Sequence, residues 1–413
     1  MTCSRIWIIS ELYYPEEIST GHSLTQLAEG LAARGHKVGV LCGQPRYMAQ
    51  EQNYPALAIH RGVEIHRTWS TRLDKNVLWK RLLNLLTITS SLFLGALRRL
   101  RRGDCVVVVT NPPVLPFFTA VVCRMKGVPC LLMVQDVYPE FAIAAGVLKP
   151  HSLIARFWAG LMKLLCQKVD GISVLGRDMQ EVIRRKRGKN PQDVRVITNW
   201  ADLGEVAPTP RNDNPLLREL GLMDKFVVQN AGNMGPVHDV ELLARAGQLL
   251  ADLPQVHFLV IGSGSRMGLL KKLVKEFGLT NFTILPSMPR QQSPVFLNAC
   301  DVALSLFVPQ MYGVSVPSRI YNILAAGKPF LAVTDPGSEL ALLIEEEQIG
   351  WTVPPRDLNQ FVQRLREAYA QRDKLPELGK RARAAAEQKY RLDLIVKDTE
   401  DLIADMTNPG ARP

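Results

Sequence analysis

The chain has 413 residues, 47 % hydrophobic and 22 % charged, the range of an ordinary globular protein and enough for two or three domains. Its net charge of +11 is uneven: residues 1–205 hold 27 basic and 16 acidic side chains, and the rest hold 23 of each. Seven irregularly spaced cysteines without a C-x-x-C argue against a disulfide framework or a zinc site and for reduced thiols, and the seven histidines do not fall at metal-ligand spacing.

In chain order, Ile6–Ser10 reads as a buried strand, and a start this direct predicts no signal peptide. A helix opens at Gly21, carries Leu24, Leu27, Ala28 and Leu31 on one face, and ends at Gly35. Lys37–Cys42 is the next strand. The apolar stretch Leu82–Leu97 is shorter than the ~20 residues of a spanning helix and is interrupted by Asn84, Thr87, Thr89, Ser90 and Ser91. It runs into Arg98, Arg99, Arg101 and Arg102, which fits a helix lying in a membrane interface and equally a buried helix with a solvated end. Asp104–Thr110, Pro129–Val134, Gly171–Leu175 and Val194–Thr198 are further β-branched runs separated by helical segments.

The turn-rich segment Ala207–Pro215 follows, and the pattern restarts with strands at Phe226–Asn230, Val256–Ile261, Asp301–Leu306 and Phe330–Val333. A last amphipathic helix lies near Leu392–Met406, and the tail from Thr407 is disorder-like. Such alternation predicts an α/β chain of two Rossmann-like, doubly wound domains. The first spans 1–205, a linker 206–215, the second 216–385, and a C-terminal helix and tail 386–413. Ligands of such sheets bind beyond the carboxyl ends of the strands, so a cleft between two facing domains is the expected active site.

The most telling segment is Val316–Pro329. Pro317 sits at the first turn of a short helix, Ser318–Ala326, that Gly327 and Pro329 end. Arg319 near its start suits an anion, above all a phosphate, and shares a face with Asn322. Gly262-Ser263-Gly264 links a strand to a helix, as a ligand-cradling loop does, and Gly21 permits close backbone approach in the first strand–helix turn. Gln135-Asp136 follows a strand, where a carboxylate serves chemistry, grips a hydroxyl or caps the next helix. No G-x-G-x-x-G, Walker A, H-E-x-x-H or G-x-S-x-G pattern is present.

Tyr14-Pro15-Glu16 through Thr20-Gly21, Leu27–Val38, Ile197–Asp202, Ala231–Gly235, Ile261–Gly264 and Pro317–Pro329 together resemble family-4 retaining glycosyltransferases, in order and spacing over about residues 5–390. Thr110–Pro113 and Gln135–Glu140 resemble the bacterial fucosyl- or N-acetyl-fucosaminyl-transferases of surface-polysaccharide assembly. The resemblance implies a GT-B fold, two Rossmann-like doubly wound domains facing a cleft, with the C-terminal helix returning to the first. It implies a nucleotide-sugar donor, UDP- or GDP-linked, on the second domain, with no cofactor or metal required. Gly21 would approach the diphosphate, Ser287-Met288-Pro289 would flank the base, and Ser315, Val316 and Pro317 would present backbone to the donor, with Ser318 opening the helix aimed there. Relatives often carry a Glu-x7-Glu pair, an arginine after the glycine and a lysine five residues later. Val314 and Asn322 stand at the pair here, and Asn233 and His238 at the two cationic positions. Asn322 would hold the ribose, Arg319 would be the main cation, and His238 would join it if protonated.

The expected reaction breaks the sugar–nucleotide bond, with Arg319 stabilising the departing diphosphate and Asp136 orienting or deprotonating the acceptor. The expected acceptor is a saccharide on a polyprenyl diphosphate at the anionic inner face of the cytoplasmic membrane, where the protein would be peripheral and the four arginines would dock. A nucleotide-sugar epimerase or hydrolase on the same fold is the alternative. Nucleic acid is not expected, because the run Arg184–Lys189 has no interleaved aromatics.

Overall fold

The computed structural model describes residues 3–45, 54–74, 77–188 and 194–407. Lys189 and the tail beyond Thr407 lie outside them. The chain divides into two compact units. One comprises Met1–Pro139, Leu153–Thr198 and Leu392–Pro413, and the other Glu140–Ser152 and Asn199–Arg391.

The first unit opens with β1 (Ile6–Ile9), α1 (Ser19–Ala33), β2 (Val38–Cys42), β3 (Leu57–His60), β4 (Val63–Arg67), α2 (Leu78–Arg99), β5 (Cys105–Val109), α3 (Leu115–Lys126) and β6 (Cys130–Val134). The short helix α4 (Glu140–Ala144) belongs to the other unit, whose core receives Phe141 and Ala144. The first unit resumes with α5 (Leu153–Lys168), β7 (Gly171–Val174), α6 (Arg177–Arg187) and β8 (Val194–Val196). Its eight-stranded sheet runs β3-β4-β2-β1-β5-β6-β7-β8. All pairs are parallel except β3 with β4. The central strands are continuous apolar runs because both sheet faces are covered; all five residues of β5 are buried. The β3–β4 hairpin, unforeseen from sequence, turns on Arg61 (φ 45°) and Gly62 (φ 81°), the positive dihedrals a two-residue hairpin turn favours.

The second unit continues with α7 (Pro215–Glu219), β9 (Phe226–Asn233), α8 (Val240–Leu249), β10 (Val256–Ser263), α9 (Met267–Glu276), β11 (Phe282–Leu285), α10 (Ser293–Leu297) and β12 (Val302–Leu306). It ends with α11 (Arg319–Ala325), β13 (Phe330–Val333), α12 (Glu339–Glu347), β14 (Gly350–Val353), α13 (Leu358–Ala370) and α14 (Leu375–Lys389). Its parallel sheet is β11-β10-β9-β12-β13-β14. The edge strands β11 and β14 are additions to the sequence reading. The last helix, α15 (Leu392–Thr407), packs on α1, where the Cγ2 of Val396 lies 2.5 Å from where a Cβ on Gly30 would stand. Glu400 accepts from Arg34 Nε and contacts His36 Nε2, each at 2.6 Å.

Strand order reverses beside β1 in the first sheet and beside β9 in the second. At such a point the loops leaving two adjacent strands diverge and open a crevice at the carboxyl ends. All seven cysteines are free and six are buried.

Candidate functional site

In the second unit the reversal falls between β9 and β12. β9 leaves the sheet through Ala231-Gly232-Asn233 and β10, in register, through Ile261-Gly262-Ser263. The loop from Met234 to Asp239 is laced to the end of β12: Asp239 N donates to Leu306 O at 3.1 Å and Val308 N to Val237 O at 3.0 Å.

Arg319, the first residue of α11, reaches across this edge. Its Nη1 donates to Asn230 Oδ1 at 2.7 Å and Ala231 O at 3.1 Å, and its Nη2 to His238 Nε2 at 2.6 Å and Asn233 O at 3.4 Å. All four acceptors are neutral, and among the described residues no carboxylate pairs with Arg319 and no acceptor meets its Nε–H. Burial lowers its pKa to about 10, so it stays charged at neutral pH. A half-buried cation fixed by neutral acceptors can receive an anion. Helix α11 is itself anchored from behind, where Arg383 Nη1 donates to Ala325 O at 2.7 Å and Val206 O at 2.9 Å.

His238 is not the auxiliary cation the sequence suggested. It is buried, and burial together with the Arg319 charge depresses its pKa to about 3. Neutral imidazole accepts through Nε2, which assigns the proton to Nδ1. The unfolded chain takes up this proton near the ordinary value of 6.5 and the folded chain does not. The titration of His238 therefore costs nothing above that pH and destabilises the fold progressively below it. We expect His238→Gln, which keeps an acceptor but cannot titrate, to remove about 2 kcal/mol of the stability lost between pH ~6.5 and pH ~5. Denaturant unfolding of both proteins at the two pH values measures this, and parallel pH slopes would refute it.

Asn322 does not join the Arg319 cluster. Its Oδ1 accepts from Asp202 N at 2.8 Å, and Asp202 Oδ2 accepts from Arg290 Nη2 at 3.0 Å. The residue read as a ribose ligand thus ties the segment after β8 to α11. Asn322→Ala is expected to lower stability by about 1 kcal/mol through that lost bond. A ribose role would instead appear in calorimetry as weaker nucleotide binding with stability unmoved.

Gly262 and Gly264 stand where side chains have no room. A Cβ on Gly262 would lie 1.9 Å from Gly232 O, and one on Gly264 would lie 2.3 Å from Met234 O. The exposed Asn233 touches the cluster through its carbonyl. Met288 packs half-buried against the unit's core, Val316 is buried, and Ser315, Pro317 and Ser318 are half-buried in the approach to α11. Sequence reading missed Asn230. Only the polar pair Gln229-Asn230, following an apolar strand start, could have marked it.

In the first unit, Gly21 lies buried in the first turns of α1, and a Cβ there would lie 2.9 Å from Glu16 Cβ. Asp136 and Gln135 are held at the end of β6 by their amides, which donate to Thr110 Oγ1 at 3.2 and 3.0 Å. Thr110 itself follows β5, beside the reversal. Arg98, Arg101 and Arg102 are exposed, whereas Arg99 Nε donates to His66 Nδ1 at 3.0 Å. Among the described residues no cluster of His, Cys, Asp or Glu could hold a metal ion.

Comparison with known proteins accords with this architecture. Residues 20–200 match the model of the glycosyl transferase 4-like domain, and residues 216–385 that of glycosyl transferases group 1. The chain is 36 % identical to the probable glycosyltransferase WbjE of Pseudomonas aeruginosa over 259 residues, 63 % of this chain and 64 % of WbjE. It is 26 % identical to the putative colanic acid biosynthesis glycosyl transferase WcaI of Escherichia coli K12, over 88 % of this chain and 92 % of WcaI. Among solved structures, sucrose-phosphate synthase of Thermosynechococcus elongatus superposes with a TM-score of 0.78 at 17 % identity, covering 98 % of this chain and 100 % of that one. Anabaena Alr3699/HepE in complex with UDP-glucose superposes with a TM-score of 0.71 at 16 % identity, covering 98 % and 99 %. These matches show the GT-B fold. Both family models describe transferases, so the epimerase or hydrolase alternative gains no support.

Proposed function

The chain belongs to the GT-B glycosyltransferases, its two halves matching the 4-like and group 1 models, and from that premise we propose that it moves a sugar from a nucleotide-sugar donor to a lipid-linked saccharide. The observation that carries the donor half is Arg319, a half-buried guanidinium that has no carboxylate partner among the described residues, at the carboxyl edge of the second sheet. A diphosphate supplies the missing anion. Gly262 and Gly264 let the ends of β9 and β10 and the Met234 loop pack closely beside it, and the Arg319 Nε–H remains to donate to it. HepE, which has this fold, was crystallised with UDP and with UDP-glucose, in keeping with a UDP- or GDP-linked donor here.

Arg319 stabilises the charge that grows on the diphosphate as the sugar–phosphate bond breaks. His238 and Asn230 orient the guanidinium. Met288 flanks the base, and Ser315 to Ser318 line the donor. Asp136 receives the acceptor hydroxyl's proton or aligns it. The sugar keeps its anomeric configuration, and a fucosyl-type donor sugar follows from the resemblance in the first half. No metal is required.

The acceptor class is argued from the charge asymmetry and the relatives. The whole +11 excess sits in residues 1–205, and WcaI is described by its role in colanic acid biosynthesis. A saccharide on a polyprenyl diphosphate at the inner face of the cytoplasmic membrane, in surface-polysaccharide assembly, fits both. The test is a panel of UDP- and GDP-sugars with a short polyprenyl-diphosphate saccharide, read by product mass. Transfer of one sugar with release of nucleoside diphosphate is expected. Failure of every donor to bind would refute the reading.

A further inference from the structure

We propose that α2, α3 and α5 of the first unit form one apolar face that inserts into the headgroup–acyl boundary of an anionic bilayer. This deepens the lipid-linked reading and rests on it for its biological sense, although its test does not. Of the nineteen exposed large hydrophobic side chains among the described residues, twelve lie on these three helices. They form stripes. On α2, Trp79 (62 % exposed), Leu82, Leu83, Leu86 (64 %) and Leu94 follow helical spacing. On α3 the stripe is Phe118, Val121 and Met125 (67 %), and on α5 it is Leu153, Ile154, Phe157 (71 %) and Leu164. Helix α3 packs against both α2 and α5. Phe93 meets Phe118 edge-on at 6.1 Å, and Phe117 meets Trp158 at 6.3 Å, so the stripes are neighbours. The opposite face of α2, with Ile88, Leu92 and Ala96, is fully buried, so the exposed stripe is surplus to folding.

Charge identifies the occupant. Helix α2 carries four basic residues, α3 two and α5 three, and none carries an acidic one. Fifty helical residues with nine basic side chains and no carboxylate complement an anionic lipid surface better than the mixed charges of a protein partner. Arg98, Arg124 and Lys163 are exposed beside the stripes, where long stems lie along lipid while the charges reach phosphates. No helix among the described residues is long and apolar enough to cross a membrane, so the contact is interfacial. An apolar surface of this extent, rimmed by one sign of charge, is a docking site.

The test uses the full chain and vesicles of phosphatidylcholine with about one quarter phosphatidylglycerol. The protein is expected to float with them at ~0.1 M salt and to stay at least half bound at ~1 M, where charge attraction is screened. Lipids brominated on their acyl chains should quench its tryptophan fluorescence, and Trp79→Phe should remove most of that quenching. The combined variant Leu82→Ser, Leu86→Ser, Met125→Ser and Phe157→Ser should lose membrane binding by tenfold or more, with nucleoside-diphosphate affinity unchanged as proof of folding. Complete release by salt without quenching would leave only electrostatic docking and overturn insertion. So would light scattering that shows a dimer in the native chain and a monomer in the variant, which would make the face a self-interface. If the native chain inserts but binds no nucleotide, the donor reading falls and the docking surface stands.

Discussion

Arg319→Ala is expected to lower glycosyl-transfer turnover by about 100-fold or more, the scale of removing one preorganised donor to a developing anion. The effect should fall on kcat more than on KM, because negative charge on the diphosphate is greatest once the sugar has begun to leave. The guanidinium is fixed in advance by Asn230 Oδ1, the Ala231 and Asn233 carbonyls and His238 Nε2, so it need not reorganise during the reaction. The same bonds make Arg319→Lys informative. Lysine keeps the charge but cannot span four acceptors, so an intermediate loss is expected. Removing Arg319 leaves those acceptors without their donor, so circular dichroism and a denaturant midpoint must accompany the rates. Near-normal turnover in a folded Arg319→Ala protein would show that the leaving group is stabilised elsewhere.

The contrast between Arg319 and its surroundings shows what sequence conveys about this site. A cation at the start of a proline-initiated helix is a local pattern, and the helix forms at Arg319–Ala325 as the flanking residues predict. Its partners lie more than eighty positions away, brought to it only by the order β9-β12 in the sheet. His238 fails as a cation for the same reason. Its neighbours in sequence give no sign of burial; the lacing of its loop to β12 imposes it. Asn322 was assigned by the pattern of relatives, whereas in this fold its amide meets Asp202, again a long-range contact. Central strands such as β5, buried on both faces, were legible as valine runs. The edge strands β11 and β14 are only partly buried and show no such run. On the surface, the apolar stretch of α2 was legible, but its continuation onto α3 and α5 was not, because nothing in the chain announces which helices become neighbours.

Gly262→Ala is expected to be severely damaging, costing about 3 kcal/mol or more and abolishing nucleotide binding. Two independent penalties combine. At φ +150° the backbone is in a region that alanine rarely adopts. The added methyl would also lie 1.9 Å from Gly232 O and 2.9 Å from its carbonyl carbon. Neither strand can yield cheaply. Gly262 pairs with Gly232 and Ser263 with Asn233 in a continuous register that runs back to Val256 and Phe226 through buried residues. Relief must therefore come at the carboxyl ends, by splaying β9 from β10, and that moves the Ala231 and Asn233 carbonyls that hold Arg319. A control lies one turn further on. Gly268 is exposed on α9 with nothing within 4 Å of its would-be Cβ, so Gly268→Ala should stabilise by up to about 1 kcal/mol through helix propensity alone. Urea unfolding of both variants, paired with titration of UDP and GDP, separates the cases. Opposite signs of stability change, with binding lost only in Gly262→Ala, are expected. Wild-type binding in Gly262→Ala would mean that the strand ends tolerate separation and that the diphosphate does not rest on this edge.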